Sequence, residues 1–201
     1  MDMAVRTGAW SGKALPYLRR VAYLESDGNQ IIDTGLVAYP DDNQVLEVAF
    51  APTERYDGYL KYHICGSTNE SRLSFGLVWQ CLEVYAWCDW NTYPVITNPV
   101  EGRFYSVKLT TFSVYVDGVQ VSATAKPYGT TPHICLFCAG GPTGYNRRAS
   151  SKIASFKFTN GVESVDMIPV LDLSGRPAMY DEVSGQLFYN QGTGEFTWGE
   201  L

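Results

Sequence analysis

The chain has 201 residues, enough for one sizeable domain that folds around its own core without disulfide or metal staples. It carries 15 basic and 21 acidic residues, and the basic ones are scattered apart from two Arg pairs, which excludes a nucleic-acid groove of the usual electrostatic kind. No apolar run reaches the length of a membrane span, and residues 1–20 hold no stretch typical of a signal peptide. We therefore expect no nucleic-acid partner, no membrane span, and either no secretion by the signal-peptide route or a different natural start.

Residues 1–16 are small, polar and aperiodic, which is typical of an extended arm, so we expect the domain proper to occupy residues 17–201. Seven later segments alternate apolar and polar residues or are rich in β-branched and aromatic ones, and each predicts a strand. They are Leu46–Pro52, Arg72–Trp79, Leu82–Trp87, Arg103–Thr110, Phe112–Val121, His133–Ala139 and Ile153–Val170. No window of helical length keeps a helical period.

Two dipeptides predict tight hairpins. Asp117-Gly118 and Asn160-Gly161 each join two alternating runs, and such pairs accept the positive φ angles of a type I′ turn. The strands are too many for one flat sheet, which would leave long exposed edges. We therefore predict an all-β, antiparallel, two-sheet β-sandwich.

The five cysteines lie in apolar segments and not at the loop spacings of a disulfide framework, so we expect buried, reduced thiols. They are Cys65, Cys81, Cys88, Cys135 and Cys138. Cys135-Leu136-Phe137-Cys138 has the spacing of half a zinc site, but no second pair follows at a suitable distance. Because residues three apart in an extended strand point to opposite faces, we predict no metal site there.

Both ends of the chain carry specific motifs. Near the start stand Tyr23-Leu24-Glu25-Ser26, Gly28-Asn29-Gln30 and Ile32-Asp33-Thr34-Gly35; near the end stand Tyr180-Asp181, Gly185-Gln186-Leu187-Phe188-Tyr189 and Gly192-Thr193-Gly194. These motifs resemble the two ends of a concanavalin A-like, laminin G-like jelly-roll domain, a type found in surface proteins of gut bacteria and in virion proteins of their phages. The resemblance implies a concanavalin A-like sandwich whose first and last strands lie close together.

Three acids, Glu25, Asp27 and Asp33, stand within the first motif and raise the question of an active site. Asp27-Gly28 and Asn29 have the residue types of a turn, and Asp33-Thr34-Gly35 is suited to binding local backbone amides where a strand ends. We predict that this stretch closes the fold and is not a catalytic centre.

Catalytic patterns are absent from the sequence. A retaining glycosidase needs two carboxylates about 5 to 5.5 Å apart, whereas Glu83 and Asp89 would lie roughly 20 Å apart on one extended strand. His63 and His133 stand in no nucleophile motif. The Gly-containing segment 139–148 leads into a strand and so lacks the helix N-terminus of a phosphate cradle. We therefore expect no enzyme, with a glycoside hydrolase or lyase as the least favoured alternative.

The strongest functional signal is aromatic. Strand alternation between Leu82 and Asp89 puts rings and carboxylates on one face, and flat rings beside acids are how proteins bind sugars. The predicted ligand-binding residues are Trp79, Glu83, Tyr85, Trp87, Asp89 and Trp90, with Tyr93 as a possible extension. The competing interpretation is that these rings form core or cross-strand contacts.

The resemblance also implies a structural calcium ion, for which Asp41 and Asp42 are weak candidates, and no other cofactor is expected. We predict a non-catalytic recognition or structural module that binds a glycan or a host cell surface, on a phage particle or a bacterial exterior. Free thiols fit a virion, since virions assemble in the reducing cytoplasm. Residues 1–16 would then order on another virion protein. The alternative function is a purely structural one, as a virion decoration or fibre subunit. Assembly into a homo-oligomer is also left open.

Overall fold

The computed structural model describes residues 14–38, 43–54, 62–68, 74–80, 82–89, 91–123, 132–141, 144–146 and 148–201. These residues form strands and no helix, so nothing in the described chain is a candidate for a membrane-spanning helix. In chain order the strands are β1 (Tyr17–Arg20), β2 (Tyr23–Asp27), β3 (Ile32–Val37), β4 (Val45–Pro52), β5 (Tyr62–Thr68), β6 (Ser74–Gln80), β7 (Glu83–Asp89), β8 (Asn91–Thr97), β9 (Tyr105–Thr110), β10 (Ser113–Val116), β11 (Val119–Ala123), β12 (His133–Leu136), β13 (Ala139–Gly141), β14 (Gly144–Asn146), β15 (Ser150–Thr159), β16 (Ser164–Asp172), β17 (Pro177–Asp181), β18 (Leu187–Phe188) and β19 (Thr197–Gly199). The predicted arm, residues 1–16, lies mostly outside the described residues and stays a prediction.

The strands make two sheets. The first runs β11-β10-β9-β4-β15-β16-β17-β18, with β1 added to β16, β2 to β15 and β19 to β2. The second runs β14-β13-β5-β6-β7-β8, and β12 links β5 to β3. Among the described strands only β13 and β5 pair in parallel, so the predicted antiparallel architecture is confirmed.

Alternation places one face of each sheet in a shared core. On β4, Leu46, Val48 and Phe50 are buried while the residues between them are partly exposed, as a period of two requires. Phe158 of the first sheet meets Phe75 of the second, with ring centroids 5.9 Å apart. Full burial of such a side chain stabilises the fold by about 1.5–3 kcal/mol. The predicted two-sheet sandwich is confirmed by this face-to-face packing.

The two terminal motifs meet at one end of the sandwich. The backbone N–H of Thr193 donates to the carbonyl oxygen of Asn29 at 3.1 Å, and the side-chain oxygen of Asn190 accepts the N–H of Ile31 at 3.0 Å. Gly192 lies so close to this turn that an added Cβ would stand 2.0 Å from the carbonyl oxygen of Asn29. Alongside, the last strand β19 pairs with β2. The predicted closure of the fold by its two ends is therefore confirmed.

Two acids of the first motif serve this closure locally. The Asp27 carboxylate accepts the N–H of Asn29 at 3.0 Å, and the Asp33 carboxylate accepts the N–H of Gly35 at 2.8 Å. Gly35 has a φ of 75°, in the left-handed region that glycine adopts without strain. Asp27 therefore has the predicted turn-forming role. Asp33 binds a local backbone amide as predicted, but it does so inside β3 and not at a strand end.

The two predicted hairpins exist, but only one has the predicted turn. Asp117 and Gly118 have φ angles of 50° and 80° between β10 and β11, as a type I′ turn requires. The second hairpin uses a longer loop, because Thr159 pairs with Ser164 across residues 160–163. There Asn160 is buried, with its side-chain amide donating to the carbonyl oxygen of Val37 at 3.1 Å. The type I′ prediction at Asn160 is wrong because this side chain is used as a tertiary link.

The segment from Cys135 to Cys138 also departs from prediction. Phe137 has a φ of 65°, so the backbone turns between β12 and β13 and is not one extended strand. Both cysteines consequently enter one buried cluster with Ile31. The expectation that their side chains point to opposite faces is therefore wrong.

A close approach of two strands in the second sheet predicts a strong glycine requirement. Gly66 and Gly76 face each other across β5 and β6, and a Cβ on Gly76 would lie 2.2 Å from the carbonyl oxygen of Cys65, at a φ of 144°. Gly76→Ala should lower the free energy of unfolding by more than about 3 kcal/mol, measured by urea denaturation. Gly118→Ala, which meets no atom within 4 Å, should lose only about 1–2 kcal/mol from its φ. Equal losses in the two variants would contradict the close approach.

The hairpin between β16 and β17 predicts a pH dependence. The Asp172 carboxylate accepts hydrogen bonds from the hydroxyl of Ser174 at 2.7 Å, the N–H of Arg176 at 2.9 Å and the hydroxyl of Tyr189 at 3.0 Å. These bonds, led by that of Ser174, lower the pKa of Asp172 to about 2 from its ordinary 3.8. Since the folded pKa is depressed, the stabilisation is complete above about pH 4 and is lost as the pH falls through 2.

Asp172→Asn should therefore lower the melting temperature at pH 5 to 7, and this deficit should shrink between pH 4 and pH 2. Glu101→Gln, a charge-matched change in an exposed turn, is the control and should show no such trend. A deficit for Asp172→Asn that stays constant down to pH 2 would contradict the assigned bonds.

Candidate functional site

Strand β7 carries the middle of the predicted aromatic platform. Val84 and Ala86 are fully buried against the core, whereas Glu83 and Tyr85 are only partly buried on the opposite face. The Tyr85 hydroxyl donates a hydrogen bond to the Glu83 carboxylate. Strand alternation therefore gives an outer surface with one ring and one acid already oriented together.

The remaining platform residues are described only in part. The register pairs Trp87 with Gly76 and Thr92, and Asp89 with Ser74, so positions 87 and 89 alternate with the buried positions 84 and 86. The side chains of Trp79, Trp87 and Asp89, and the whole of Trp90, lie outside the described residues. For these residues ligand contact stays a prediction.

The register separates one ring, that of Tyr93, from Glu83 and Tyr85. Tyr93 pairs with Ala86 and packs against the core. The outer face of β7 therefore offers positions 83, 85, 87 and 89 as one row.

Groups suited to acid–base chemistry do not converge on β7. Glu83 and Asp89 stand at its two ends, which an extended strand separates by about 20 Å. His63 is buried in β5. Elsewhere, the Nδ1 of His133 lies 3.0 Å from both carboxylate oxygens of Asp33.

A thiol lies near that histidine but is not activated. The Cys135 Sγ contacts the carbonyl oxygen of His133 at 3.6 Å. Its hydrogen bond with Cys138 and its burial raise the pKa of Cys135 far above the ordinary range of a thiol. Since the thiolate is the nucleophile, this site lacks the activated cysteine of a Cys-His enzyme.

The calcium candidates Asp41 and Asp42 lie outside the described residues, and a calcium ion there stays a prediction. Within the described ranges no group of three His, Cys, Asp or Glu side chains is placed to hold a metal ion.

A cleft of about 260 Å³ opens where the terminal motifs meet. Its walls come from β2, from the turns after β2 and β4, from the start of β15 and from the last 10 residues. The lining contains four carboxylates, four hydroxyls and one amide: Glu25, Asp27, Glu54, Glu195, Ser26, Thr53, Ser150, Thr197 and Gln30. We call this site the terminal cleft.

Side chains at its floor hold each other in place. The Ser26 hydroxyl donates to the side-chain oxygen of Gln30 at 2.9 Å, and that oxygen also accepts the N–H of Asp27 at 3.0 Å. Both Ser26 and Gln30 are buried. The floor is therefore preorganised by the same turn that closes the fold.

The carboxylates at the rim remain open to a ligand. Glu25 lies 3.7 Å from the ammonium group of Lys152 and accepts a 3.5 Å hydrogen bond from the hydroxyl of Thr197. Glu54 and Glu195 are exposed, Glu54 just beyond the end of β4 and Glu195 between β18 and β19. Among the described residues no three ligating side chains converge on one point.

Two rings extend the rim. Tyr23 lies under the Lys152 ammonium, which is 4.6 Å from the ring centroid, and the Tyr23 and Phe104 ring centroids are 5.8 Å apart. Phe104 is 40% exposed. Lys152 also approaches Glu25, so its contacts connect these rings to the rim of the terminal cleft. We call Tyr23 and Phe104 the aromatic ledge.

Sequence reasoning missed most of this site. Glu25 and Asp27 attracted attention as acids, whereas Glu54 and Glu195 stand outside the predicted strands. Phe104 belongs to the predicted strand Arg103–Thr110, which carried no sign of a ligand site. The pairing of β2 with β19 and β15, and of β4 with β15 and β9, brings these residues together. The similarity of both chain ends to one domain type was the available signal that these segments meet.

No family model matches the chain, and no curated protein is similar enough to match. Among solved structures, the chain is similar to a Bacteroides ovatus protein to which carbohydrate binding has been provisionally assigned. The TM-score is 0.56 and the sequence identity is 17%, and the match covers 91% of this chain and 61% of that protein. At this identity the similarity shows a common β-sandwich fold. The chain spans less than two thirds of that protein's length.

The register of β7 predicts the effect of removing a platform ring. Trp87→Ala should change the melting temperature by less than about 2 °C, because position 87 alternates with the core positions. Phe75→Ala, which removes a buried ring from the neighbouring strand, is the control and should lower it by about 6–20 °C. A loss for Trp87→Ala as large as that for Phe75→Ala would show that the indole belongs to the core.

Proposed function

We propose that this chain is a non-catalytic carbohydrate-binding domain whose principal ligand site is the terminal cleft. The observation that carries the proposal is a concave site lined by side chains that can hydrogen-bond and bordered by the aromatic ledge. Sugar sites combine a few placed polar groups with a ring that covers an apolar face.

The polar lining suits a polyol. Carboxylate oxygens accept the hydroxyl hydrogens of a sugar, while hydroxyl and amide groups donate and accept. A cation would instead require several oxygens around one point, and within the described residues no three acidic or ligating side chains converge in that way. A pyranose distributes its hydroxyls around a ring, so it does not need the acceptors Glu25, Glu54 and Glu195 to converge on one point.

The aromatic ledge supplies the second element of sugar recognition. A pyranose presents C–H groups on its faces, and an exposed ring such as that of Phe104 covers them while excluding water. Lys152 fixes the neighbouring ring of Tyr23 from above by a cation–π contact. The ledge would bind one sugar unit while the cleft binds the next one along the chain.

The similarity to the Bacteroides ovatus protein supports this proposal at the level of fold. Fold alone does not assign a ligand, so the assignment rests on the terminal cleft. The outer face of β7, with its oriented Tyr85 and Glu83 pair, is a second surface on which a longer glycan would be held.

The setting that we propose is an exterior surface, either of a phage particle or of a bacterium. The motifs at the two chain ends support this setting through their resemblance to domains of such proteins. Mass spectrometry of purified particles would test the phage alternative directly, since a virion protein is present in a fixed copy number per particle.

Glycan-array screening followed by calorimetry with the tightest oligosaccharide tests the function. The double variant Glu54→Gln/Glu195→Gln should weaken binding at least tenfold, because two charged acceptors are lost at the rim. Phe104→Ala should weaken it by a similar factor through loss of ring stacking. Both changes lie at exposed positions, so the melting temperature should hardly move.

Two matched variants control for charge and for ring loss. Glu163→Gln removes an exposed acid in the β15–β16 loop, and Phe112→Ala removes an exposed ring at the other end of β9. Both should bind as the unaltered chain does. Absence of binding across bacterial-envelope and mucin-type glycans, with full occupancy on particles, would overturn the proposal in favour of a structural subunit. Release of reducing sugar would overturn its non-catalytic part.

A further inference from the structure

The turn between β12 and β13 brings two thiols together. Phe137 adopts a φ of 65°, and its backbone is fixed on both sides: its N–H donates to the carbonyl oxygen of Ile64 at 2.7 Å, and its carbonyl oxygen accepts the N–H of Ala149 at 3.0 Å. The chain then doubles back, so that a Cβ on Gly140 would stand 2.1 Å from the carbonyl oxygen of His133. Cys135 and Cys138 lie at the two ends of this tight turn.

The two thiols contact each other inside the protein. Cys135 and Cys138 form a small buried cluster with Ile31, and both side chains are fully shielded from solvent. A hydrogen bond with Cys138, together with burial, raises the pKa of the Cys135 thiol. Gly140 also packs closely on the Cys135 thiol: a Cβ added to Gly140 would lie 3.1 Å from the Cys135 Sγ. The pair is thus held in mutual contact by the backbone on each side.

We propose that Cys135 and Cys138 are a redox pair that closes into an intrachain disulfide when the chain meets an oxidising small-molecule disulfide. One cysteine, as thiolate, attacks a sulfur of the oxidant and forms a mixed disulfide, releasing the first thiol of the oxidant. The thiolate of the second cysteine then attacks the protein sulfur of this mixed disulfide and releases the second thiol. Two protein thiols are oxidised, one small disulfide is reduced to two thiols, and the two protein protons end on the released molecules.

Burial decides when this reaction takes place. Burial and mutual hydrogen bonding raise the pKa of Cys135, and the thiolate is the attacking species. Exchange in the folded protein is therefore slow, and the bond forms while the chain folds or during a local opening. Once formed in the closed turn, the disulfide would be shielded from reductants in the same way.

A third thiol provides a competing partner. Leu136 pairs with Cys65 of β5, so Cys65 lies next to the turn, and burial raises its pKa to about 12. Cys138 adds to this rise in the pKa of Cys65. However, Cys65 sits on a different strand and belongs to the main core cluster, not to the small cluster of Cys135, Cys138 and Ile31. The geometry favours the pair within the turn over a link between strands.

Closure of this disulfide would stiffen the base of the terminal cleft. Ile31, the third member of the cluster, directly follows Gln30 of the cleft floor. The Phe137 ring packs on Phe196 with centroids 5.0 Å apart, and Phe196 lies between Glu195 and Thr197 of the rim. The redox pair does not depend on the identity of the ligand in that cleft.

Refolding in glutathione buffers tests the pair. The reduced, unfolded chain is refolded over a series of ratios of oxidised to reduced glutathione, then alkylated in denaturant with N-ethylmaleimide and mapped by peptide mass spectrometry. Under oxidising ratios the peptide that contains Cys135 and Cys138 should carry no label. Its mass should be lower than that of the reduced, unlabelled peptide by two hydrogens, while Cys65 is labelled. Under reducing ratios all three should be labelled.

Two variants and three alternative outcomes complete the test. Cys65→Ala should leave the link intact, whereas Cys138→Ser should leave Cys135 labelled or joined to glutathione. Because peptide mapping of the unaltered chain already distinguishes the outcomes, a folding defect in Cys138→Ser would leave the test valid. Labelling of both thiols at every ratio, a link between Cys65 and Cys138, or glutathione adducts without a protein link would each overturn the proposal.

Discussion

The backbone contact between the turn at Asn29 and the segment at Gly192 is the constraint on which the site depends. A Cβ at position 192 would stand 2.0 Å from the Asn29 carbonyl oxygen, so only glycine permits the approach. This contact places β19 against β2 and positions the last residues of the chain beside the first motif. The closure of the fold and the formation of the terminal cleft are therefore one event.

The closure explains how a surface with ligand-binding geometry arises from a turn. The Ser26 hydroxyl donates to the Gln30 side-chain oxygen, which also accepts the N–H of Asp27, so contacts within the turn hold the floor in place. The rim acids come from segments that are distant in sequence, so the contacts between the chain ends must outweigh the repulsion between the like charges that they bring together. Such preorganised groups reduce the entropic cost of binding a flexible oligosaccharide.

Local sequence patterns correctly predicted those elements whose conformation is determined by neighbouring residues in the chain. Alternation along β4 and β7 gave the correct inner faces, and Asp117-Gly118 gave the correct turn. Tertiary contacts overrode these rules elsewhere: Asn160 is engaged with Val37, and Phe137 leaves the extended conformation. The terminal cleft was not predictable residue by residue, because Glu54 and Glu195 acquire their roles only through pairing of distant strands.

A crystal structure with the tightest-binding oligosaccharide tests the central claim most directly. The account predicts a sugar ring in the terminal cleft, with its hydroxyls within hydrogen-bond distance of Glu25 and Glu195 and a neighbouring unit against the ring of Phe104. An oligosaccharide ordered only on the outer face of β7, with the terminal cleft filled by water, would contradict it.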